Sequence, residues 1–171
     1  MTNFKEITPQ EEWVYSPFDR LHKDWALIGA AKKDGSLNMM TISWGGVGIM
    51  WRKPVVYLVI RPQRYTKEFV DAADTLSLSF FSEEYREQLS LCGKKSGRDI
   101  DKVKECGFTV ELDSGAPVFQ QADTVLICRK LFSQPMLPES ILCEELKTEI
   151  YPEKDYHQIY IAEILKAFVR K

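Results

Sequence analysis

Residues 25–44 read WALIGAAKKDGSLNMMTISW, two apolar runs separated by a short polar turn. The first run, Trp25–Lys33, is typical of a β-strand, and Asp34-Gly35 is a two-residue signal for a β-hairpin. Leu37–Trp44 is the expected return strand. Because a tight turn of this kind joins antiparallel neighbours, the segment favours an antiparallel β fold over a doubly wound parallel sheet.

The chain around this hairpin alternates short strands with short helices. Gly45–Gly48 is expected to interrupt regular structure, and Pro54 opens a strand over Val55–Ile60 that ends at Arg61-Pro62. Further strands are predicted over Leu76–Phe81, Phe108–Leu112, Thr124–Phe132 and Gln158–Val169, and helical segments over Thr66–Ala73, Glu83–Leu91, Asp99–Cys106 and around Glu139–Ile150. The pattern indicates a mainly β fold, a β-barrel with short helices.

Length and charge restrict the classes of protein. A chain of 171 residues is expected to form one domain, residues 1–171, with residues 1–24 as an N-terminal extension. The 23 lysine and arginine residues against 25 aspartate and glutamate residues give a net charge of −2, which argues against nucleic-acid binding. Four cysteines without a Cys-x-x-Cys pair, and two histidines, argue against a metal site. No apolar run is long enough for a membrane span, so a cytoplasmic protein is expected.

The turn after the third strand is the clearest candidate for ligand chemistry. Arg61 and Arg64 flank a proline turn, and Thr66 is the expected N-cap of the helix that follows. Helix N-termini attract anions, and guanidinium groups match phosphate oxygens. Each arginine taken alone is more simply a surface side chain that is solvated or paired with an acid.

Two further segments carry polar groups that a ligand could use. In the return strand, Thr41 and Ser43 share a face with Met39, so that two hydroxyls lie side by side. The loop Cys92–Lys102 contains Gly93 and Gly97, which allow a close backbone approach. Taken alone, these segments are more simply an edge strand with one polar face and a surface turn.

Taken together and in order, three motifs make the chain similar to the flavin reductase-like family with the FMN-binding split barrel, and in particular to its flavoredoxin branch. The motifs are Asn38-Met-Met-Thr-Ile-Ser-Trp44, Arg61-Pro-x-Arg64-Tyr-Thr66 and Cys92-Gly-x-x-Ser96-Gly-Arg-Asp99-x-Asp-Lys102, and the strand that opens at His157 resembles the family's closing motif. One position departs from that motif, because Ala162 stands where the reductases have glycine.

The resemblance implies a Greek-key split barrel that forms a homodimer with FMN near the subunit interface. By this analogy, Arg61, Arg64 and Thr66 hold the FMN phosphate, and His157 is the catalytic residue on the nicotinamide side, where NADH or NADPH donates electrons. The implied cofactor-binding residues are Asn38, Met40, Thr41, Ile42, Ser43, Trp44, Arg61, Arg64, Tyr65, Thr66, Cys92, Gly93, Ser96, Gly97 and Lys102. The implied activity is an NAD(P)H:flavin oxidoreductase or an electron carrier with a redox partner protein.

Two alternatives remain open on the sequence. An electron-transfer module could bind FMN without oxidising NAD(P)H itself, which the departure at Ala162 would explain. A barrel could also serve as a non-catalytic interaction domain without cofactor. Split barrels of the pyridoxamine-phosphate-oxidase type bind FMN as well.

Overall fold

A computed structural model describes residues 3–13 and 16–171. Within them, ten strands are formed: β1 Phe4–Ile7, β2 Ala26–Ala31, β3 Leu37–Ile42, β4 Gly45–Met50, β5 Lys53–Ile60, β6 Thr75–Phe80, β7 Val110–Asp113, β8 Ala116–Phe119, β9 Thr124–Pro135 and β10 Gln158–Arg170. The α-helices are α1 Pro9–Glu12, α2 Pro17–Arg20, α3 Tyr65–Ala72, α4 Arg86–Lys94, α5 Lys102–Cys106 and α6 Glu144–Glu149, with 3-10 turns at Glu83–Tyr85 and Pro138–Ser140. The predicted mainly β architecture is confirmed.

Eight of the strands form one antiparallel sheet. Its order is β3-β2-β6-β9-β10-β5-β4, and β1 pairs with the C-terminal half of β10. The order departs from the chain order, because β2 pairs with β6 and β5 pairs with β10. Strands β7 and β8 form a separate hairpin.

The sheet wraps around an apolar core. Strands at both ends of the sheet order contribute to it, with Met40 and Ile42 from β3 and Val47 from β4, and Phe69 and Val70 of α3 pack into the same cluster. Side chains from opposite ends of a sheet meet in one core when the sheet curls into a barrel. The predicted barrel is therefore observed.

The outer face of β2, β3 and β9 carries a second apolar cluster. Met39 of β3 and Cys92 of α4 belong to it, together with three stacked or tilted rings, Phe81, Phe108 and Phe119. Adjacent residues of one strand, Met39 and Met40, thus lie in different cores, as the predicted alternation requires.

Two features of the β3–β5 region differ from the prediction. The segment Gly45–Gly48 does not interrupt regular structure, because it forms most of β4, which pairs with β5. The two strands are joined at Trp51 and Arg52, which both have positive φ values of 51° and 60°. Such a left-handed pair makes a type I′ turn even without glycine, so the usual hairpin signal is missing from the sequence.

The helix ends also correct the prediction. Arg64 occupies the N-cap of α3, while Thr66 lies inside the helix, where its hydroxyl accepts a hydrogen bond from Asn38 Nδ2 at 3.0 Å. Helix α4 continues through Gly93 to Lys94. Asp101, and not Asp99, caps α5 through a 3.2 Å bond from the Lys104 amide.

The predicted N-terminal extension contains a strand of the main sheet. Residues Phe4–Ile7 pair with Ala167–Arg170 of β10, and the ring of Phe4 lies 6.5 Å from that of Phe168. Among the residues that the structure describes, none of the helices combines the length and apolar character needed to cross a bilayer.

Candidate functional site

A cavity of ≈ 220 Å³ lies where the end of β3 meets the end of β5 and the start of β10. We call it the His157 cavity. Its lining combines apolar strand residues, two guanidinium groups and one imidazole: Met40, Thr41, Ile42, Ser43, Trp44, Val59, Arg61, Arg64 and His157.

The register of two strands brings the cation and the imidazole together. Gln158 of β10 pairs with Ile60 of β5. Because the strands run antiparallel, the residues just beyond this pair, His157 and Arg61, face each other at the rim of the barrel. Residues separated by nearly 100 positions in sequence thus share one cavity.

Arg61 is bound to groups of this chain. Nη1 donates to a carboxylate oxygen of Asp155, and Nη2 donates to the carbonyl oxygen of Ile150 at 2.9 Å. The same Asp155 oxygen accepts from Gln63 Nε2 at 2.6 Å. These hydrogen bonds from Gln63 and Arg61 lower the pKa of Asp155, so the carboxylate is charged at neutral pH. An anion at Arg61 has to share or replace Asp155.

Arg64 connects the cavity to α4. Its Nη1 donates to the carbonyl oxygen of Gly93 at 2.9 Å, and it stands at the N-cap of α3. The first two helical residues, Tyr65 and Thr66, have amide N–H groups that no carbonyl within the helix can reach. A guanidinium beside a helix N-terminus gives a positive environment at this corner of the cavity.

The end of β3 provides the wall of the cavity. Thr41 Oγ1 donates to the carbonyl oxygen of Leu89 at 2.5 Å, which anchors β3 to α4. Thr41, Ile42 and Ser43 also line a neighbouring cavity of ≈ 150 Å³ whose other residues include Gly93. The wall therefore has a cavity on each side.

His157 is buried, with 7% of its surface exposed. Its Nδ1 lies 2.8 Å from the hydroxyl of Tyr151, and its ring lies 5.3 Å from that of Trp44. Burial lowers the pKa of His157 from 6.5 to about 4, and the cations of Arg61 and Arg64 act in the same direction. The imidazole is therefore neutral at pH 7 and can donate or accept one hydrogen bond in the cavity.

A second group of predicted residues lines a different cavity. Asn38, Gly97 and Lys102 border an open cavity of ≈ 600 Å³, which we call the loop cavity. It lies between the start of β3 and the segment Gly97–Val103, which comprises the loop before α5 and the first residues of that helix. The ammonium of Lys102 donates to the carbonyl oxygens of Met39 at 2.9 Å and Cys92 at 2.8 Å, and the side chain is 5% exposed. Lys102 thus joins β3, α4 and α5.

The predicted site residues therefore fall into two groups and a remainder. The residues of the Asn38–Trp44 strand from Met40 onward, both arginines and His157 meet in one cavity. Cys92 is buried against α5, Tyr65 and Thr66 lie on α3, and Ser96 accepts a hydrogen bond from the Arg98 amide in its own turn. Ala162, the position that departs from the family motif, lies in the barrel core.

Sequence reasoning missed three residues at the site. Val59 lines the His157 cavity, Tyr151 bonds to His157, and Asp155 pairs with Arg61. Asp155 lies two positions before His157, but its pairing with Arg61 depends on the register of β5 and β10, which the sequence does not indicate. In the described part of the chain, no group of three or more histidine, cysteine or acidic side chains is arranged to hold a metal ion.

Comparison with known proteins assigns the chain to a family. The model of the flavin reductase like domain matches residues 18–171. No curated protein matches the chain significantly.

Solved structures share the fold at low sequence identity. Flavoredoxin from Methanosarcina acetivorans superposes with a TM-score of 0.69 at 21% identity, over 86% of this chain and 69% of that one. The flavoredoxin of Desulfovibrio vulgaris gives 0.68 at 19% identity, over 86% and 69%. An FMN-binding domain of a flavin reductases-like enzyme from Shewanella baltica gives 0.68 at 16% identity, over 98% and 78%. The fold is thus a split barrel, as predicted.

Proposed function

Because the chain belongs to the flavin reductase-like domain family, we propose that it is an oxidoreductase that binds FMN at the His157 cavity. The observation that supports this most directly is the grouping of Arg61, Arg64 and a helix N-terminus beside an apolar strand wall. The two guanidinium groups and the helix N-terminus suit a phosphate group, and the apolar wall suits a planar ring.

The residues present fit FMN in chemical character. Arg64 and the first amides of α3 are the groups that would hold the phosphate, with Arg61 as a second cation after exchange of Asp155. Met40, Ile42 and Trp44 offer apolar or aromatic surface for the ring. When bound, FMN would supply a ring system that accepts a hydride equivalent, so the protein needs to bind and orient and not to provide its own acid or base.

NADH or NADPH is the proposed electron donor, and a redox partner protein or free flavin is the proposed acceptor. His157 lies in the cavity in its neutral form, so it can orient the nicotinamide through a hydrogen bond without adding a positive charge beside it.

A homodimer is the proposed assembly. The His157 cavity is smaller than the roughly 300 to 1,000 Å³ of typical small-molecule pockets, and Trp44 at its edge is 45% exposed. A second subunit placed over this edge would enclose the ligand. The cytoplasm is the proposed location, since the four cysteines, which all lie in the described residues, are free thiols.

The engagement of Arg61 favours a second candidate function. A guanidinium already bound by Asp155 and Ile150 is what a cofactor-free interaction domain would show. Such a domain would keep the barrel and ignore added flavin.

Titration with FMN separates the two candidates. The purified protein is expected to retain FMN with a two-band visible spectrum and to quench FMN fluorescence. Arg64→Ala should weaken binding about tenfold to a hundredfold, since a hydrogen bond to a charged group contributes about 1.5–3 kcal/mol. The matched control is Arg52→Ala, in the exposed β4–β5 turn, which should bind FMN normally. Wild-type protein that fails to retain FMN would establish the interaction domain instead.

Anaerobic stopped-flow mixing tests the donor. Rapid bleaching of bound flavin by NADH or NADPH is the expected result. Bound FMN that neither nucleotide reduces would indicate an electron carrier that depends on a partner reductase.

A further inference from the structure

Two buried thiols touch at the junction of α4 and α5. The Sγ atoms of Cys92 and Cys106 are 3.6 Å apart. Cys92 is fully buried, whereas Cys106 retains 9% of its surface. A disulfide bond is about 2.05 Å long, so closing the pair needs an approach of roughly 1.5 Å between the sulfur atoms.

The two thiols differ in chemical character. The hydrogen bond from Cys92 and the nearby Lys102 cation lower the pKa of Cys106, although burial opposes them. The same hydrogen bond, together with burial, raises the pKa of Cys92. Cys106 is therefore the thiol that ionises first, and it is also the less deeply buried of the two residues.

We propose that Cys92 and Cys106 form a redox-active dithiol that hydrogen peroxide oxidises to an intramolecular disulfide. The Cys106 thiolate attacks one peroxide oxygen, the O–O bond breaks, and the second oxygen leaves as water after taking up a proton. The Cys92 thiol then attacks the Cys106 sulfenic sulfur, the S–O bond breaks, and a second water carries away the Cys92 proton. Two thiols lose two electrons in total, and one peroxide gains them.

A disulfide between Cys92 and Cys106 would restrict the segment between them. Residues 93–105 connect the two cysteines and contain the loop from Gly97 to Lys102 that borders the loop cavity. Lys102 is already bonded to the carbonyl oxygen of Cys92. A covalent link would close this segment into a ring and restrict its motion, because a disulfide limits the conformations of the chain that it encloses.

Stoichiometric oxidation of the full chain tests the site. One equivalent of hydrogen peroxide should lower the intact mass by two hydrogen atoms, and peptide mapping without reductant should find Cys92 linked to Cys106. Cys92→Ser should stop at a Cys106 sulfenic acid that dimedone captures, and Cys106→Ser should give neither product. Cys143→Ser, which removes the exposed thiol, should leave the linkage unchanged. The proposal fails if Cys92 and Cys106 both stay alkylatable after treatment while Cys143 is consumed.

Hydrogen exchange tests the restriction of the loop in wild-type protein, without any variant. Amides of residues 94–101 should exchange more slowly in the oxidised protein than in the reduced one, while those of the remote β4–β5 hairpin stay the same. Equal exchange in the two forms, with the disulfide verified, would overturn the restriction but not the dithiol.

The effect on cofactor rests on the proposed function. FMN should dissociate more slowly from the oxidised form, since the ring closed by the disulfide contains Gly93, whose carbonyl oxygen accepts a hydrogen bond from Arg64 of the His157 cavity. Equal dissociation rates would refute this link, whereas an absence of FMN binding in both forms would contradict the proposed function and leave the disulfide result intact.

Discussion

The hydroxyl of Tyr151 lies 2.8 Å from Nδ1 of His157 and 3.4 Å from Sδ of Met136. A ring nitrogen is a stronger acceptor than a thioether sulfur, so the hydroxyl donates to Nδ1. Because the neutral imidazole carries one N–H, its proton is then on Nε2. Tyr151 thus positions His157 as a hydrogen-bond donor through Nε2.

Replacing Tyr151 with phenylalanine should change the state of the imidazole. The hydroxyl stabilises the neutral ring, so Tyr151→Phe is expected to raise the pKa of His157 and to mix the two tautomers. Nitrogen NMR of labelled histidine measures both quantities directly. An Nδ1 signal typical of a protonated nitrogen in the wild type would show the opposite tautomer and contradict the assignment.

His157 should also make stability depend on pH. Its pKa is about 4 in the folded chain and 6.5 when unperturbed, so the unfolded chain binds the proton more tightly. The contribution of His157 to the free energy of unfolding is therefore complete above pH 6.5 and is lost as the pH falls toward 4. The loss amounts to about 3 kcal/mol, at about 1.4 kcal/mol per pKa unit.

Urea unfolding of wild type and His157→Gln at several pH values isolates this contribution. Carboxylates change stability in both proteins, so the difference between the two curves reports His157 alone. The difference should narrow or change sign between pH 6.5 and 4. Parallel curves would show that His157 titrates normally in the folded protein.

Gly97 should not accept a larger side chain. A Cβ atom at this position would lie 2.3 Å from Oδ1 of Asn38, which is buried and held by Thr66. Gly97→Ala is expected to cost about 1–3 kcal/mol through overpacking. The control is Gly46→Ala, where the added carbon meets no atom within 4 Å. Equal urea midpoints for both variants would show that the loop can move away from Asn38.

Local sequence signals predicted the elements whose turns contain turn-forming residues. Asp34 accepts hydrogen bonds from the amide and hydroxyl of Ser36, and Gly35 has a φ of 85°, so the β2–β3 hairpin follows from residues in the turn. The β4–β5 hairpin has no such signal, because Trp51 and Arg52 adopt left-handed conformations against their propensity. Glycines in β4 then suggested a break where pairing with β5 imposes a strand.

The site was only partly predictable for a related reason. Arg61, Arg64 and the Asn38–Trp44 strand are marked by motifs, but their partners depend on tertiary pairing. Asp155 meets Arg61 through the register of β5 and β10. The predicted role of Thr66 as the N-cap was wrong, since Arg64 occupies the N-cap, and the Thr66 hydroxyl accepts a hydrogen bond from Asn38 of β3.

Lys102 provides a test of whether its cation serves the fold. Its ammonium donates to the carbonyl oxygens of Met39 and Cys92, and both would lose this donor in Lys102→Met. Leaving buried acceptors unpaired costs about 1–3 kcal/mol. Methionine has a side chain of similar length, and burying its apolar atoms does not offset this cost. The expected result is a lower urea midpoint with an unchanged m-value. Lys104→Met on the exposed face of the same helix should be neutral, because the hydrogen bonds of Lys104 to Asp101 and Gly107 are made by its backbone amide and carbonyl and not by its side chain. A Lys102→Met protein as stable as Lys104→Met would mean that the cation is dispensable for folding, which would return Lys102 to the predicted role of a cofactor-binding charge.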